Sequence, residues 1–141
     1  MMKFVKFTDK TRYKYQKRIN AFAENHMNGV NVYHPYSALI NSETKEIIAC
    51  FWTEDYSDFC EPFITFGVHK KFRRKGYAKQ IVEDSIGHLF EDEGADIIMA
   101  TCVVKESFNL LTDMGFSSFK IGNLIDEDVS LDREAWEDNG L

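Results

Sequence analysis

Six consecutive residues, Arg73-Arg74-Lys75-Gly76-Tyr77-Ala78, join a strand-like run to a helix-like run, and this junction constrains the chain more than any other stretch. Before it, Glu61-Pro62-Phe63-Ile64-Thr65-Phe66-Gly67-Val68 is apolar and β-branched, with its proline at the strand's opening, where one is tolerated. After it, Ala78, Ile81, Val82, Ile86, Leu89 and Phe90 recur at three- and four-residue steps, the mark of a helix with one apolar face. A strand entering a helix through a glycine turn leaves backbone N–H groups unpaired at the helix start, where the macrodipole also favours negative charge. Six of the 17 Lys and Arg residues lie between Lys70 and Lys79, in a protein of net charge −6. Arg74 and Lys75 oppose the helix dipole, so a purely structural turn would carry Asp or Glu there instead. The pattern predicts an anion, and a phosphate in particular, at this turn.

At 141 residues the chain is read as one domain, residues 1–141, with an acidic tail from about 134. Apolar residues make up 44% of it, enough for a real core, and Phe4, Phe7, Phe22, Phe63, Phe66, Phe108 and Phe116 are assigned there rather than to a cofactor. No run approaches the roughly 18 apolar residues of a membrane helix. The N-terminus alternates apolar and basic residues without a secretion signal's apolar block, so a cytoplasmic protein is expected. Cys50, Cys60 and Cys102 lie in apolar runs without C-x-x-C spacing, which suggests buried thiols and neither a disulfide framework nor a metal site. The pI near 5.2 disfavours general binding to nucleic acid and suits a cationic partner. A nucleotide triphosphatase is disfavoured too, because no G-x-x-x-x-G-K-[S/T] loop occurs. The acidic runs at 54–61, 91–96 and 126–138 read as solvated loops and tails.

In chain order, Phe4–Phe7 alternates like a short strand, and Thr8 and Asp9 offer cap oxygens to a helix with the stripe Tyr15, Ile19, Phe22, Ala23 and Met27, ended by Asn28-Gly29. Val30–Pro35 is irregular. Ser37–Ile40 and Ile47–Trp52 are strand-like about a polar hairpin turn, and Asp55–Cys60 is a second turn. Past the central helix, Gly94 ends the periodicity, Asp96–Val103 reads as a buried strand, and Ser107 is placed as the cap of a helix running into Gly115-Phe116. Phe119–Leu124 and Val129–Leu131 suggest a last hairpin, and Glu134–Leu141 a frayed tail with Trp136 available to dock back. The order describes an α/β domain with a mixed sheet.

The junction resembles the pyrophosphate-binding signature of the GNAT family of N-acetyltransferases, Q/R-x-x-G-x-G/A, with Arg73 first, Gly76 fourth and Ala78 sixth. The lead-in Val68-His69-Lys70-Lys71-Phe72-Arg73 is similar to the family's V-x-P-x-Y/F-R, with Lys70 where proline is common. Ser107–Phe116 resembles the family's closing helix ending in G-F. Over Phe4–Phe116 the resemblance implies the GNAT-like fold: a mostly antiparallel central sheet with splayed strands, flanked by helices.

It also implies a function, transfer of acetyl from acetyl-coenzyme A to a primary amine of a small molecule or a protein, by direct attack in a ternary complex and without metal. The pyrophosphate would lie on backbone N–H groups from Arg74 through Lys75, Gly76 and Tyr77 to Ala78, with the side chains of Arg73, Arg74 and Lys75 adding charge. The pantetheine arm would pair with Phe66 and Val68, and a backbone N–H at or beside Val68 would hold the oxyanion. Glu61 is the candidate base, although about 23 Å of strand separates it from Val68 and a bend at Pro62 or a bridging water is needed. His26, His34 and His69 are chemical alternatives. The family's acid is a tyrosine where this chain has Leu111, and its asparagine is replaced by Val104; Tyr33, Tyr36, Tyr56 or water are left for the proton. Tyr33, Tyr36 and Trp52 are available to an acceptor. These departures keep a second function open, an acyl-coenzyme A sensor with the fold and little catalysis, and a third in which Tyr77 and the basic turn take nucleic acid. Dimers are common among proteins of this resemblance, so a homodimer is among the expected partners.

Overall fold

Thr8 opens the first helix as its sequence suggests. Its Oγ1 accepts the Thr11 N–H at 3.2 Å while Thr11 Oγ1 accepts the Thr8 N–H at 2.7 Å, a reciprocal cap that satisfies two donors. The structure is a computed structural model and describes residues 1–27, 34–56, 61–102, 105–119 and 127–139. Its elements are β1 (Met2–Lys6), α1 (Asp9–His26), β2 (Pro35–Asn41), β3 (Ile47–Tyr56), β4 (Glu61–Val68), a 3-10 turn (Lys70–Phe72), α2 (Tyr77–Glu91), β5 (Ile97–Cys102), α3 (Lys105–Asp113), β6 (Ser117–Phe119), β7 (Glu127–Asp132) and α4 (Arg133–Asn139). The seven strands take the order β1-β2-β3-β4-β5-β7-β6 and are mostly antiparallel, with a parallel pairing of β4 and β5 at Phe63 and Met99. The expected mixed α/β sheet is therefore present. Two compact units are distinguished, Met1–Glu54 with Phe66–Gly87, and Asp55–Thr65 with His88–Leu141.

In the first unit, Tyr15, Ile19 and Phe22 of α1 pack on Ala38, Ile40, Ile47, Cys50 and Trp52. Burial pushes the Cys50 thiol up to about 12, which makes it an inert core residue as its apolar surroundings suggest. Successive strand residues face opposite ways, so Ser37 and Leu39 lie on the other side of β2. There Ser37 Oγ meets Ser85 Oγ of α2 at 2.6 Å, both side chains fully buried. Strands covered on both faces show as continuous apolar runs, as Ile47–Trp52 does.

One hydroxyl donates to the other, and the two make a measurable pair. Ser85→Ala strands the Ser37 hydroxyl and is expected to cost about 1–3 kcal/mol, while the double Ser37→Ala/Ser85→Ala variant costs less than the sum of the singles. Additive costs in urea unfolding would show that the pair is not coupled.

In the second unit, β5 pairs with β7 along its length, from Ile97 against Asp132 to Cys102 against Glu127, and β6 adds to the far edge of β7. Ile98, Ala100, Leu111, Phe116, Val129 and Leu131 are buried in it. Two expectations are corrected here. The helix expected to be capped by Ser107 already begins at Lys105, with Glu106 in its first turn where the dipole favours a carboxylate. The stretch expected to fray is helical to Asn139, while Trp136 docks back as its sequence position allows, stacking on Phe90 with ring centroids 4.9 Å apart. Arg133 explains the docking: its guanidinium donates to the carbonyls of Phe90 and Ala95 and lies 5.8 Å from the Phe90 ring centroid. A cation thereby meets the Phe90 carbonyl, which the end of α2 leaves without a helical partner, and the Ala95 carbonyl of the chain just beyond it. Of the expected last hairpin, β6 and β7 are seen, while residues 120–126 lie outside the described ones.

Candidate functional site: an anion turn at the start of α2

Between β4 and α2 the backbone takes an unusual course. Arg74 has φ +64° and Gly76 φ +85°, so Lys75 stands between two residues in the left-handed region. Glycine adopts that conformation at no steric cost, whereas arginine does so at the expense of strain, and such strain gathers at functional sites. The Gln80 N–H bonds the Gly76 carbonyl at 3.1 Å, which makes Gly76 the residue that caps α2. The N–H groups of the first helical turn, Tyr77 to Lys79, then have no acceptor within the helix. No acidic residue lies in that turn, and Arg73, Arg74, Lys75 and Lys79 are all exposed around it. A Cβ built on Gly76 would meet nothing within 4 Å, so the cradle is open on that side. Concave N–H groups, open space and surrounding cations are what a phosphate requires, and the residues present fit a pyrophosphate.

Arg73 has a further task. Its Nε donates to the Val68 carbonyl at 3.1 Å and a terminal N–H donates to the His26 carbonyl at 3.1 Å, so it ties the end of β4 and the end of α1 to the turn. Among the described residues Arg74 and Lys75 make no such bond to a carbonyl, and Lys75 Nζ lies 5.6 Å from the Phe72 ring centroid. Just past the end of β4, the His69 N–H bonds the Ile48 carbonyl of β3 at 2.7 Å. Backbone groups alternate edges along a strand, so Val68 and Phe66 direct theirs to the edge away from β3.

Of the three candidate histidines, His34 is exposed, while His26 and His69 are both bonded through Nδ1. His69 Nε2 lies 2.9 Å from Glu46 and its Nδ1 accepts the Lys71 N–H at 3.1 Å, while His26 Nδ1 accepts the Lys70 N–H at 3.2 Å. This hydrogen-bond pattern assigns the proton to Nε2 in both rings and leaves neither a lone pair for base catalysis. Trp52, expected near an acceptor, is buried in the α1 core at 2% exposure and cannot line an open surface. Leu111 is likewise core, so no acid stands at that position. Glu61 opens β4, but its side chain lies outside the described residues, as do those of Tyr33 and Tyr56 and residue Val104. Tyr36 sits on β2 with Lys6 Nζ 5.6 Å from its ring centroid.

Two features had no counterpart in the sequence reading. Gly67 lies against a close approach: a Cβ there would stand 1.7 Å from Met27 Sδ, so the methionine side chain would have to turn aside. A cleft of about 370 Å³ lies between α1 and the β2–β3 turn, lined among others by Arg18, Phe22, His26, Glu46 and His69. It is separate from the exposed cradle at Gly76. No spacing rule joins His26 to Lys70 across 44 residues, so only the fold could reveal that contact.

Comparison with known proteins agrees with this geometry. Residues 6–116 match the acetyltransferase (GNAT) family. The chain belongs to that family, and is thereby an acetyl-coenzyme A-dependent N-acetyltransferase in class. Similar solved structures include the spermidine/spermine N-acetyltransferase SpeG of Vibrio cholerae, studied in mutant forms, at 9% identity and TM-score 0.75, covering 99% of this chain and 98% of that one. Another is yncA of Salmonella typhimurium, solved with its cofactor acetyl-coenzyme A, at 13% identity and TM-score 0.66 with 93% of each chain covered. The ribosomal-protein-S18-alanine N-acetyltransferase of Escherichia coli is similar at 12% identity and TM-score 0.66, covering 92% of this chain and 91% of that one. These identities speak to the fold alone. No protein of curated function matches the sequence.

Proposed function

We propose that this protein transfers the acetyl group of acetyl-coenzyme A to a primary amine, on a small molecule or a protein, by direct attack within a ternary complex. The observation that carries this reading is the pair of left-handed residues, Arg74 and Gly76, at the start of a helix with cations and no carboxylate in its first turn. The cofactor supplies an activated acetyl thioester. The chain's own groups do the rest: N–H groups of Gly76 to Lys79 receive the pyrophosphate, Arg74, Lys75 and Lys79 add charge, and Arg73 holds the turn against β4 and α1. Phe66 and Val68 offer backbone groups on a strand edge to the extended pantetheine arm, in the way an added strand is bound. A backbone N–H at or beside Val68 faces the developing oxyanion.

Glu61 is proposed as the base, acting directly or through water. With Leu111 in the core, the leaving thiolate takes its proton from water or from a tyrosine outside α3. The similar structures are named for spermidine and spermine in one case and for an alanine of a ribosomal protein in another, which supports an amine acceptor without choosing between the two. The negative net charge favours a cationic acceptor.

Calorimetric titration with acetyl-coenzyme A, dephospho-coenzyme A and ATP at two salt concentrations tests the site, followed by thiol release with spermidine and with an alanine-terminated peptide. Acetyl-coenzyme A is expected to bind most tightly, with a clear salt dependence. Glu61→Gln is expected to lower the rate roughly a hundredfold with cofactor affinity unchanged. An unchanged rate would remove Glu61 from the mechanism. Cofactor binding with no thiol release from any amine would move the sensor function ahead.

A further inference from the structure

We propose that His26 is a positioning residue for the anion turn: the imidazole that ends α1 holds the backbone leading into the turn, and a proton added to it releases that hold. The inference rests on the cofactor reading above. His26 reaches that backbone in three ways. Its Nδ1 accepts the Lys70 N–H at 3.2 Å, its carbonyl accepts an Arg73 N–H at 3.1 Å, and its ring lies 3.9 Å from that of His69, centroid to centroid, at 34°. His69 is itself fixed from both sides, by Glu46 at 2.9 Å and by the Lys71 N–H at 3.1 Å. The segment from His69 to Arg73 therefore takes its course from α1 and from the β2–β3 turn as well as from its own sequence.

Protonation acts at one atom. Nε2 already carries hydrogen, so an added proton goes to Nδ1 and sets a donor against the Lys70 N–H. The groups facing His26 are His69, Lys70 and Arg73 from the end of β4 and the turn, and Glu46 from the β2–β3 turn, while Arg18 lines the same cleft. Partial burial first, and then His69, Lys70 and Arg73, hold its pKa below the usual 6.5, with Glu46 pulling the other way. The sign follows. The stability that neutral His26 contributes is complete above pH 6.5 and is lost as pH falls through the lowered value.

Two effects then compete for cofactor affinity on acidification. A new positive charge near the turn would tighten phosphate binding, whereas loss of the Lys70 bond would weaken it. Positioning predicts the second, and linkage makes this measurable from the other side: cofactor binding must lower the His26 pKa further if it favours the neutral ring.

The test is an NMR titration of histidine-labelled and ¹⁵N-labelled protein, with and without saturating acetyl-coenzyme A, beside two variants. In the free protein the Lys70 amide shift should titrate with the His26 midpoint, and the cofactor should move that midpoint down. His26→Phe keeps a ring on His69 but offers no acceptor, and should raise the cofactor Kd about tenfold. His26→Gln, whose side-chain carbonyl can accept the Lys70 N–H, should restore most of the affinity and remove the acid limb of the Kd profile. A midpoint that rises or stays constant on binding, or a His26→Phe Kd equal to wild type, overturns the proposal. Absence of acetyl-coenzyme A binding to the wild type would instead defeat the cofactor reading. The positioning role is then judged on the Lys70 amide, which overturns it by failing to follow His26.

Discussion

Gly76→Asp is expected to abolish measurable acetyl-coenzyme A binding while leaving the far-UV circular dichroism largely intact. The space for a side chain exists, since a Cβ at this position meets nothing within 4 Å, so a steric block inside the turn is not the cause. The cause is charge and conformation. A carboxylate would stand beside the N–H groups that receive the phosphates; at about 4 Å and an effective dielectric of about 20 its repulsion is roughly 4 kcal/mol per charge pair, a loss of several hundredfold or more. The φ of +85° adds strain of about 1–2 kcal/mol, a tolerable fraction of a domain's stability. Gly76→Ala separates the two: it carries the strain without the charge and should retain most of the affinity. Equal, near-normal binding by both variants would place the phosphates elsewhere.

Phe90→Ala is expected to have the largest effect on stability, about 3–5 kcal/mol in urea unfolding. Phe90 is fully buried, its ring stacks with Trp136, and its carbonyl receives the Arg133 guanidinium. Truncating it removes the surface on which α4 rests, so Trp136 should become more exposed and its emission should shift to the red. A Trp52→Phe background isolates that signal, because these are the only two tryptophans. A cost under about 1 kcal/mol with unchanged emission would mean that α4 owes its place to other contacts.

Much of this architecture could be read from periodicity. The stripe Tyr15, Ile19, Phe22 and Ala23 is the buried face of α1, and Ile81, Val82, Ile86, Leu89 and Phe90 that of α2. Local chemistry sufficed there, because a repeating apolar position is decided by the helix that carries it. The glycine turn was legible for the same reason, as a glycine before a helix in a cluster of cations, whereas the left-handed backbone at Arg74 and Gly76 appears only in the fold. The tail passed this test only in part, in the readiness of Trp136 to dock back. Its acidic composition suggested fraying, but the docking of α4 depends on Arg133 finding the carbonyls of Phe90 and Ala95, some 40 residues away in sequence. Trp52 failed similarly: an aromatic at the end of a strand-like run looks available until α1 is laid over it. His26 and His69 were recognised as titratable groups, yet their hydrogen bonds exclude the base chemistry that histidine suggests and reveal a mechanical tie instead.

The contact of Met27 with Gly67 has a meaning for how such sequences can vary. The sulfur occupies the place where every other residue would put its β-carbon, so positions 27 and 67 share a single allotment of volume. Anything larger than glycine on the strand demands a shorter or differently turned side chain at the end of the helix. A side chain added at 67 is therefore met first by a turn of the Met27 thioether, so the tolerance of the strand position is set by the residue at 27, next in sequence to the histidine that steadies the anion turn.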